Sequence, residues 1–283
     1  MAAAVVFDFD KTILDCDSDD WVVDSMGLTD IFDELLPTMS YNSLMNRMMK
    51  ELHSQGKTIE DIANCLIQAP LHPNIISAIK SAHASGCDLR ILSDANTFFI
   101  ETILKHHGIL DCFAEINTNP GFVDGEGKLV IFPFHEFKSS SHSCILCPPN
   151  LCKGMVLERI QRSELCQAKQ IIYVGDGKND FCPSMKLSAR DYVMPRKNLK
   201  LWDMILADSS LVKAQIHGWN DGEELKAILV GLISLIHNDQ HNRHATTFYH
   251  EFIPVMDCKA ETTLISGSPV AGSLLTNAVQ LKN

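Results

Sequence analysis

The sequence is short of positive charge. Of its 283 residues, 24 are Lys or Arg and 35 are Asp or Glu, which gives a formal net charge of −11 at pH 7. A protein that binds nucleic acid needs a basic face to neutralise phosphates, so this balance argues against a nucleic-acid partner. The chain also has no apolar run long enough to span a bilayer, which argues against a membrane partner. Nothing in the sequence indicates the oligomeric state.

A recognisable export signal is absent as well. The first apolar run is too short for one and is interrupted by Asp8. Without export, we expect the 10 cysteines to be reduced thiols in a cytoplasmic protein. The composition, with 46% hydrophobic and 21% charged residues, is typical of a globular protein of one domain, or one domain with an insertion.

The first chemical feature is a pair of carboxylates at the end of a short apolar run. Val5, Val6 and Phe7 predict a buried strand, and Asp8 and Asp10 follow it. Residues i and i+2 of an extended chain point the same way, so both carboxylates should lie at the carboxyl end of this strand. At about 4 Å they would repel by roughly 4 kcal/mol at an effective dielectric of 20. The pair therefore needs a shared proton or a cation.

Strands that alternate with helices predict an α/β fold. Apolar residues at helical spacing fill the stretch after the first strand, which predicts a helical cap at 19–79, inserted into a core at 1–18 and 80–237. Within the core, we expect residues 115 to 134 to form an antiparallel excursion around the turn Asp124–Gly127. Polar composition predicts a disordered tail at 238–283, behind a last helix that ends at His237.

Three later stretches place chemical groups at strand ends or helix starts. Ser93 follows the apolar strand at 87–92 and precedes a helix. Lys153 begins a helix, where a cation opposes the helix dipole, and this is mild support for an anion-binding role. Asp176, between two glycines, follows a third buried strand, and Asp180 comes one turn later. Oxygen ligands of this kind suit Mg²⁺.

A group of cysteines precedes Lys153. Cys144 and Cys147 have metal-ligand spacing, with Cys152 and His142 nearby, so a zinc site with four ligands is one interpretation. Reduced thiols that pack a loop are the other interpretation. We favour the thiols because no second C-x-x-C pair accompanies the first.

Together, these motifs resemble the haloacid dehalogenase-like phosphohydrolases. Asp8–Thr12 matches the family's D-x-D-x-T motif, and Ser93, Lys153 and Gly175–Asp180 match its second, third and fourth motifs. The resemblance covers about residues 4 to 237. It implies a Rossmann-like parallel sheet core with helices on both faces and a small helical cap inserted after the first strand.

The resemblance also implies a mechanism. Asp8 would be the nucleophile that becomes an aspartyl phosphate, and Asp10 the general acid and then the base that activates water. Mg²⁺ would be held by the Asp8 carboxylate, the Asp10 carbonyl and Asp176, with Asp180 in support directly or through water. The second aspartate of the D-x-D motif, Asp10, favours hydrolysis, because relatives that stop at the phosphoenzyme lack an acid at this position.

Five further roles concern the substrate. The resemblance implies that Ser93 and Lys153 bind phosphoryl oxygens. We expect Asp94, and Asp17 or Asp20, to supply anions for a cationic group of the substrate. Capping of the following helices is the alternative role for these three aspartates.

A narrower resemblance is to the phosphoethanolamine/phosphocholine phosphatase group. It rests on Asp17–Trp21, Ser93–Asn96 and Cys147–Gly154, and the whole chain is most similar to the plant branch of this group. That branch includes pyrophosphatases and thiamine monophosphate phosphatases. The implied partner is a small phosphorylated metabolite: thiamine monophosphate, phosphoethanolamine or phosphocholine. The alternatives are an inorganic pyrophosphatase of the same fold and, ranked lower, a non-catalytic phosphate-binding or scaffold protein.

Overall fold

Strands and helices alternate along the chain, as the computed structural model shows. It describes residues 3–135, 142–163, 166 and 169–251. Its strands are β1 (Ala4–Phe7), β2 (Asp88–Asn96), β3 (Phe113–Asn119), β4 (Gly121–Val123), β5 (Leu129–Ile131), β6 (Ile171–Gly175), β7 (Tyr192–Pro195) and β8 (Gln215–Ile216). Its helices are α1 (Ser18–Ser25), α2 (Thr29–Leu35), α3 (Tyr41–Ser54), α4 (Ile59–Leu66), α5 (Pro73–Ala84), α6 (Thr97–His106), α7 (Lys153–Arg162), α8 (Phe181–Ser184), α9 (Lys200–Ala207) and α10 (Gly222–Glu251).

Six strands form one parallel sheet in the order β3-β2-β1-β6-β7-β8. Strand β1 lies between β2 and β6, with Phe7 paired to Ile91 on one side and to Val174 on the other. Because the strands are parallel, their carboxyl ends meet at one edge. That edge carries the residues that follow β1 and β6 and the last residues of β2.

Helices cover both faces of the sheet. The side chains of β1 alternate between two hydrophobic cores: Val5 and Phe7 belong to one, and Ala4 and Val6 to the other. Strands buried on both faces are typical of α/β proteins, because crossover helices pack on each side. The predicted α/β class, with a parallel sheet and helices on both faces, is confirmed.

The helical segment α1–α4 follows β1 directly. Its Met and Leu stripe, with Leu44, Met48 and Leu52 buried, belongs to the same core as Val5 and Phe7. The chain up to Asn242 forms one unit, and the second unit comprises 243–283. The division of the first unit into a core and a cap at 19–79 stays a prediction.

Two stretches differ from expectation. Residues 115–119 belong to β3, a parallel edge strand, so the antiparallel excursion is limited to the β4–β5 hairpin. Helix α10 continues past His237 to Glu251, since residues 238–251 contain neither Pro nor Gly to end it. The rest of the predicted tail, 252–283, lies outside the described residues.

No helix in the described part of the chain is both long and apolar enough to cross a bilayer. The cytoplasmic location stays a prediction.

Candidate active site

Three neighbouring strands bring the predicted groups to one edge of the sheet. Asp8 follows β1, Asp176 follows β6, and Ser93 lies in the last part of β2. Lys153 is the first residue of α7 and Asp180 precedes α8. Groups far apart in the sequence therefore converge, as the motif order predicts.

Lys153 lies between two buried carboxylates. Its Nζ is 2.8 Å from Asp8 Oδ2 and 2.8 Å from Asp180 Oδ1. The side chains of Lys153 and Asp180 are fully occluded from solvent, and that of Asp8 is 7% exposed. Burial lowers the pKa of Lys153, but the charges of Asp180 and Asp8 raise it by more than burial lowers it. The ammonium group therefore stays charged.

Asp180 is saturated with hydrogen bonds. Its Oδ1 accepts from the Tyr173 hydroxyl (2.6 Å) and Lys153 Nζ (2.8 Å). Its Oδ2 accepts from the backbone N–H groups of Asp176 (3.0 Å) and Gly177 (2.9 Å). Burial raises the pKa of Asp180, but Lys153 and these donors outweigh it, and the net shift is downward. A carboxylate with about four acceptor positions filled by four donors is a scaffold for the loop and for Lys153.

Asp8, Asp176 and Asp180 form an acidic group that could hold a metal ion, because each offers a carboxylate oxygen within 4.8 Å of the others. Burial and the charge of Asp180 raise the pKa of Asp176 to about 7. Burial, Asp180 and Asp176 also raise the pKa of Asp8, against the opposing effect of Lys153. The single positive charge of Lys153 therefore does not offset the burial and mutual repulsion of the three carboxylates. Since the oxygens of Asp180 are already taken, Asp8 and Asp176 are the carboxylates available to a cation.

Asp10 lies two residues beyond Asp8, at the start of the loop that leads to α1. Its Oδ1 accepts a hydrogen bond from the backbone N–H of Ser18 (2.8 Å). Burial, and then the charge of Asp17, raise the pKa of Asp10 to about 8. At neutral pH this carboxyl group is therefore largely protonated and can donate a proton.

Ser93 keeps its hydroxyl proton available. Its buried Oγ accepts a hydrogen bond from the backbone N–H of Ala95 (3.2 Å). The O–H can then donate to an anion in the cavity that Ser93 lines.

A cavity of about 360 Å³ opens in front of these groups. Seven of the nine predicted site residues line it: Asp8, Asp10, Asp17, Asp20, Ser93, Asp94 and Asp176. The other two, Lys153 and Asp180, are occluded and contact Asp8 and the 175–180 turn from within the protein. Among the described residues that line the cavity, Lys11 is the only cation, and its Nζ pairs with Asp17 Oδ2 at 3.5 Å.

A second cavity of about 270 Å³ adjoins the first and shares with it Asp19, Tyr41, Asp94 and Asn179. Asp94 stands at the junction. Its Oδ1 accepts from Asn150 Nδ2 at 3.2 Å, and its Oδ2 accepts from Asn179 Nδ2. Burial raises the pKa of Asp94, against the charge of Lys153 and these amide donors.

The acidic turn before α1 divides into different roles. Asp17 caps α1: its Oδ1 accepts from the backbone N–H groups of Asp19 (3.2 Å) and Asp20 (3.3 Å). Asp20 is exposed at the rim, 3.5 Å from the Tyr41 hydroxyl. Asp19 is buried, and its Oδ1 has no hydrogen-bond partner among the described residues.

Sequence reasoning missed Asp19, Tyr173, Asn150 and Asn179 as parts of this site. Asn179 and Tyr173 lie in or beside the fourth motif, so their positions next to Asp176 and Asp180 were a usable signal. Asn150 and Asp19 had no such signal, because polar residues in a loop and in a helix cap are common.

A family model described as "Putative Phosphatase" matches residues 3–233 of the chain. The chain belongs to this phosphatase family. It is a phosphoric ester hydrolase, as predicted, and the lower-ranked expectation of a non-catalytic protein is set aside.

Three relatives show the breadth of the family. The chain is 58% identical over 234 residues to "Inorganic pyrophosphatase 2" of Arabidopsis thaliana, covering 82% of this chain and 84% of the relative. It is 50% identical to a "Thiamine phosphate phosphatase-like protein" of the same plant, over 83% of this chain and 97% of the relative. It is 32% identical to the human "Phosphoethanolamine/phosphocholine phosphatase", over 78% and 86%. The predicted resemblance to this group and its plant branch is confirmed.

The fold also has solved counterparts. A crystal structure of phosphoserine phosphatase in its apo form superposes with a TM-score of 0.54, covering 80% of this chain and 98% of that one at 16% identity. At this identity the likeness concerns the fold alone, and it agrees with the predicted α/β fold with a parallel sheet.

Proposed function

We propose that this phosphatase hydrolyses small phosphomonoesters whose leaving group carries a positive charge, with Mg²⁺ and through an aspartyl phosphate on Asp8. One observation carries the proposal: Lys153 Nζ lies 2.8 Å from both Asp8 and Asp180, which joins three of the four motifs, from stretches far apart in the sequence, at the Asp8 carboxylate. That carboxylate also lines the cavity.

In the proposed first step, an Asp8 carboxylate oxygen attacks phosphorus. The bond between phosphorus and the leaving oxygen breaks, and the Asp10 carboxyl group gives its proton to that oxygen. The raised pKa of Asp10, about 8, keeps the proton in place at neutral pH. In the second step, the Asp10 carboxylate takes a proton from a water molecule, whose oxygen attacks phosphorus and releases orthophosphate from Asp8.

The Ser93 hydroxyl and the Lys153 ammonium are the groups proposed to favour charge on the phosphoryl oxygens. Lys153 also holds Asp8 in one orientation through its ion pair, and Asp180 holds Lys153. Preorganised donors of this kind cost no reorganisation during the reaction.

The residues fit a divalent cation. Asp8 and Asp176 offer buried carboxylate oxygens, and burial, together with the charges of neighbouring carboxylates, raises the pKa of each, which a bound cation would offset. Oxygen ligands favour Mg²⁺, which when bound would supply positive charge to the phosphoryl group and reduce its repulsion with Asp8. In this assignment Asp180 acts as a support, because four donors already occupy its oxygens.

The charge of the cavity supports a cationic leaving group. Seven aspartates line the main cavity, and Lys11, its cation, is paired with Asp17. Asp94 and Asp19, whose Oδ1 has no hydrogen-bond partner within the described part of the chain, stand where the two cavities join. We assign the cation of the substrate to these two side chains, since Asp17 is engaged as a helix cap and Asp20 lies at the rim. Thiamine monophosphate, phosphoethanolamine and phosphocholine all carry such a cation.

Inorganic pyrophosphate is the second candidate substrate, favoured by the name of the relative with 58% identity. Its leaving group is an anion, which would face the same aspartates. Turnover of pyrophosphate would therefore need additional Mg²⁺ to screen the leaving phosphate.

A substrate panel with Mg²⁺ tests the proposal. We expect orthophosphate release from thiamine monophosphate, phosphoethanolamine and phosphocholine with kcat/KM well above that for glycerol 3-phosphate and pyrophosphate. Asp94→Asn should raise KM for the cationic esters more than for the neutral one, whereas exposed Asp203→Asn should change neither. An unchanged KM ratio in Asp94→Asn would refute the cation assignment, and a preference for pyrophosphate would favour the second candidate. Absence of release from every compound would refute the proposed function as a whole.

A further inference from the structure

Four cysteine sulfurs converge close in the chain to Lys153 and Asp180, because Cys152 directly precedes α7 and Cys182 lies in α8. We propose that Cys144, Cys147, Cys152 and Cys182 hold a structural zinc ion. Each Sγ lies within 4.8 Å of the other three. Cys152 and Cys182 are buried, whereas Cys144 and Cys147 are half-buried, so the cluster reaches the surface and an ion can enter.

The spacing of the sulfurs suits a tetrahedral ion. Zinc bonds thiolate sulfur at about 2.3 Å, which sets sulfurs at tetrahedral positions about 3.8 Å apart. The Sγ atoms of Cys144 and Cys182 are 3.6 Å apart. Both thiols are free, and a disulfide would need about 2.05 Å. Four sulfur ligands in a tetrahedral arrangement select zinc, or iron, over hard cations.

The local backbone supports a ligand role for the first pair. Cys144 and Cys147 enclose a tight turn whose tip, Ile145, is 96% exposed. The backbone N–H groups of Leu146 and Cys147 hydrogen-bond to the sulfur of Cys144. Amides that converge on a sulfur stabilise a thiolate, the form in which cysteine binds a metal.

The structure changes the fourth ligand that the sequence suggested. His142 is not a member of the converging group, and its Nε2 is hydrogen-bonded to the Pro148 carbonyl at 2.8 Å. Cys182, in α8, takes the fourth position. The missing second C-x-x-C pair, which argued for reduced thiols, is thus supplied by Cys152 and Cys182 from separate elements.

Gly154 makes room for the sulfur of Cys182. A Cβ on Gly154 would lie 2.5 Å from Cys182 Sγ. Glycine at this position lets the sulfur approach the backbone of α7 and face the other three cysteines.

The cluster would link parts of the active site that are far apart in the sequence. Cys152 directly precedes Lys153, and Cys182 follows Asp180 by two residues. A zinc ion would therefore join the start of α7 to α8 and hold the ion pair between Lys153 and Asp180 in place. The site has four protein ligands and no open position, which is typical of structural zinc.

Metal analysis of the full chain tests the proposal directly. The protein would be produced in zinc-supplemented cells, purified under reducing conditions and analysed by mass spectrometry for zinc and iron. We expect about one zinc ion per chain. Cys144→Ser and Cys147→Ser should lose most of it, whereas Cys112→Ser, at a half-buried thiol outside the cluster, should keep it. Asp176→Asn should also keep it, which separates this site from the acidic group.

Cobalt binding can be measured on the wild-type protein, so this test does not depend on whether the cysteine variants fold. Zinc-depleted wild-type protein loaded with Co²⁺ should show thiolate-to-cobalt charge transfer and the intense visible bands of a tetrahedral ion. Absence of both zinc and these bands would overturn the proposal. So would zinc content unchanged by the cluster variants, iron in place of zinc, or a disulfide between Cys144 and Cys182 in the reduced preparation.

Discussion

Replacement of Lys153 by methionine tests the buried ion pair on which the site depends. Methionine is unbranched and of similar length, so the change removes the ammonium while it keeps most of the packing. Asp8 and Asp180 would each lose a partner at 2.8 Å, and neither carboxylate is exposed enough for water to replace it. Asp180 would keep its bonds to Tyr173 and the 176–177 backbone, whereas Asp8 would keep one donor among the described residues, the backbone N–H of Phe9.

Removal of one partner from a buried ion pair costs about 3–5 kcal/mol in the free energy of unfolding. With a urea m-value of about 3 kcal/mol/M, this is a shift of roughly 1–1.7 M in the unfolding midpoint. Mg²⁺ bound at Asp8 should return part of the loss, about 2.7 kcal/mol at 100 times its dissociation constant. We expect kcat/KM to fall by about 10²–10³.

Urea unfolding of wild-type and Lys153→Met protein, in EDTA and in Mg²⁺, measures these effects. Lys105→Met is the matched control, because its Nζ is also 2.8 Å from a carboxylate, that of Glu101, but both side chains are largely exposed. The control should cost less than about 1 kcal/mol. A Lys153→Met protein as stable in EDTA as the wild type would refute the reasoning, as would equal losses in the two variants.

Three further predictions follow from the geometry. The Asp10 carboxyl group is protonated below its pKa of about 8, so kcat for phosphoethanolamine should fall as the pH rises through 8. The kcat for p-nitrophenyl phosphate should not fall, because its leaving group needs no proton. Parallel pH profiles for the two substrates would contradict the role of Asp10 as the acid. Gly154→Ala should lower the free energy of thermal unfolding by about 1–3 kcal/mol, because the added Cβ meets Cys182 Sγ. Gly231→Ala should raise it by about 0.5–1 kcal/mol, because nothing lies within 4 Å of a Cβ at that position of α10. Equal effects would count against close packing of Gly154 on Cys182. Tyr173→Phe removes one of four hydrogen bonds to a buried carboxylate and should cost about 1.5–3 kcal/mol in urea unfolding, and a loss below 0.5 kcal/mol would show that the bond is unimportant.

The parts of the fold with strong local signals could be predicted from the sequence. Pro73 at the first position of α5 and the apolar periodicity of α3 marked those helices. The turn Asp124–Gly127 marked the β4–β5 hairpin. In each case the residues that determine the structure lie within a few positions of one another.

Strand β3 could not be found in this way. A buried parallel strand is expected to be apolar, but β3 contains Glu115, Asn117 and Asn119. At the edge of the sheet these polar groups find partners on other elements: Arg159 donates to both Glu115 and Asn117. Their stability in the strand depends on contacts over long sequence distances, which local patterns do not contain.

The same distinction applies to the site. Motif spacing predicted which groups gather at the edge of the sheet, because parallel strands force their ends together. It could not predict that four donors hydrogen-bond to the two oxygens of Asp180, or that Asp19 Oδ1 is buried with no partner among the residues that the structure describes. Both depend on the exact path of the turn and of α1.

The two cavities that meet at Asp94 have walls of different origin. Asp8 and Asp176 directly follow strands of the sheet, whereas Asp19 and Tyr41 belong to helices α1 and α3. Under the proposed function, substitutions in those helices can reshape the space for the leaving group without moving Asp8 or Lys153. Selectivity can thus diverge between paralogues while the chemistry of phosphoryl transfer stays constant, and exchange of residues 17–45 between family members is the natural route to a change of substrate.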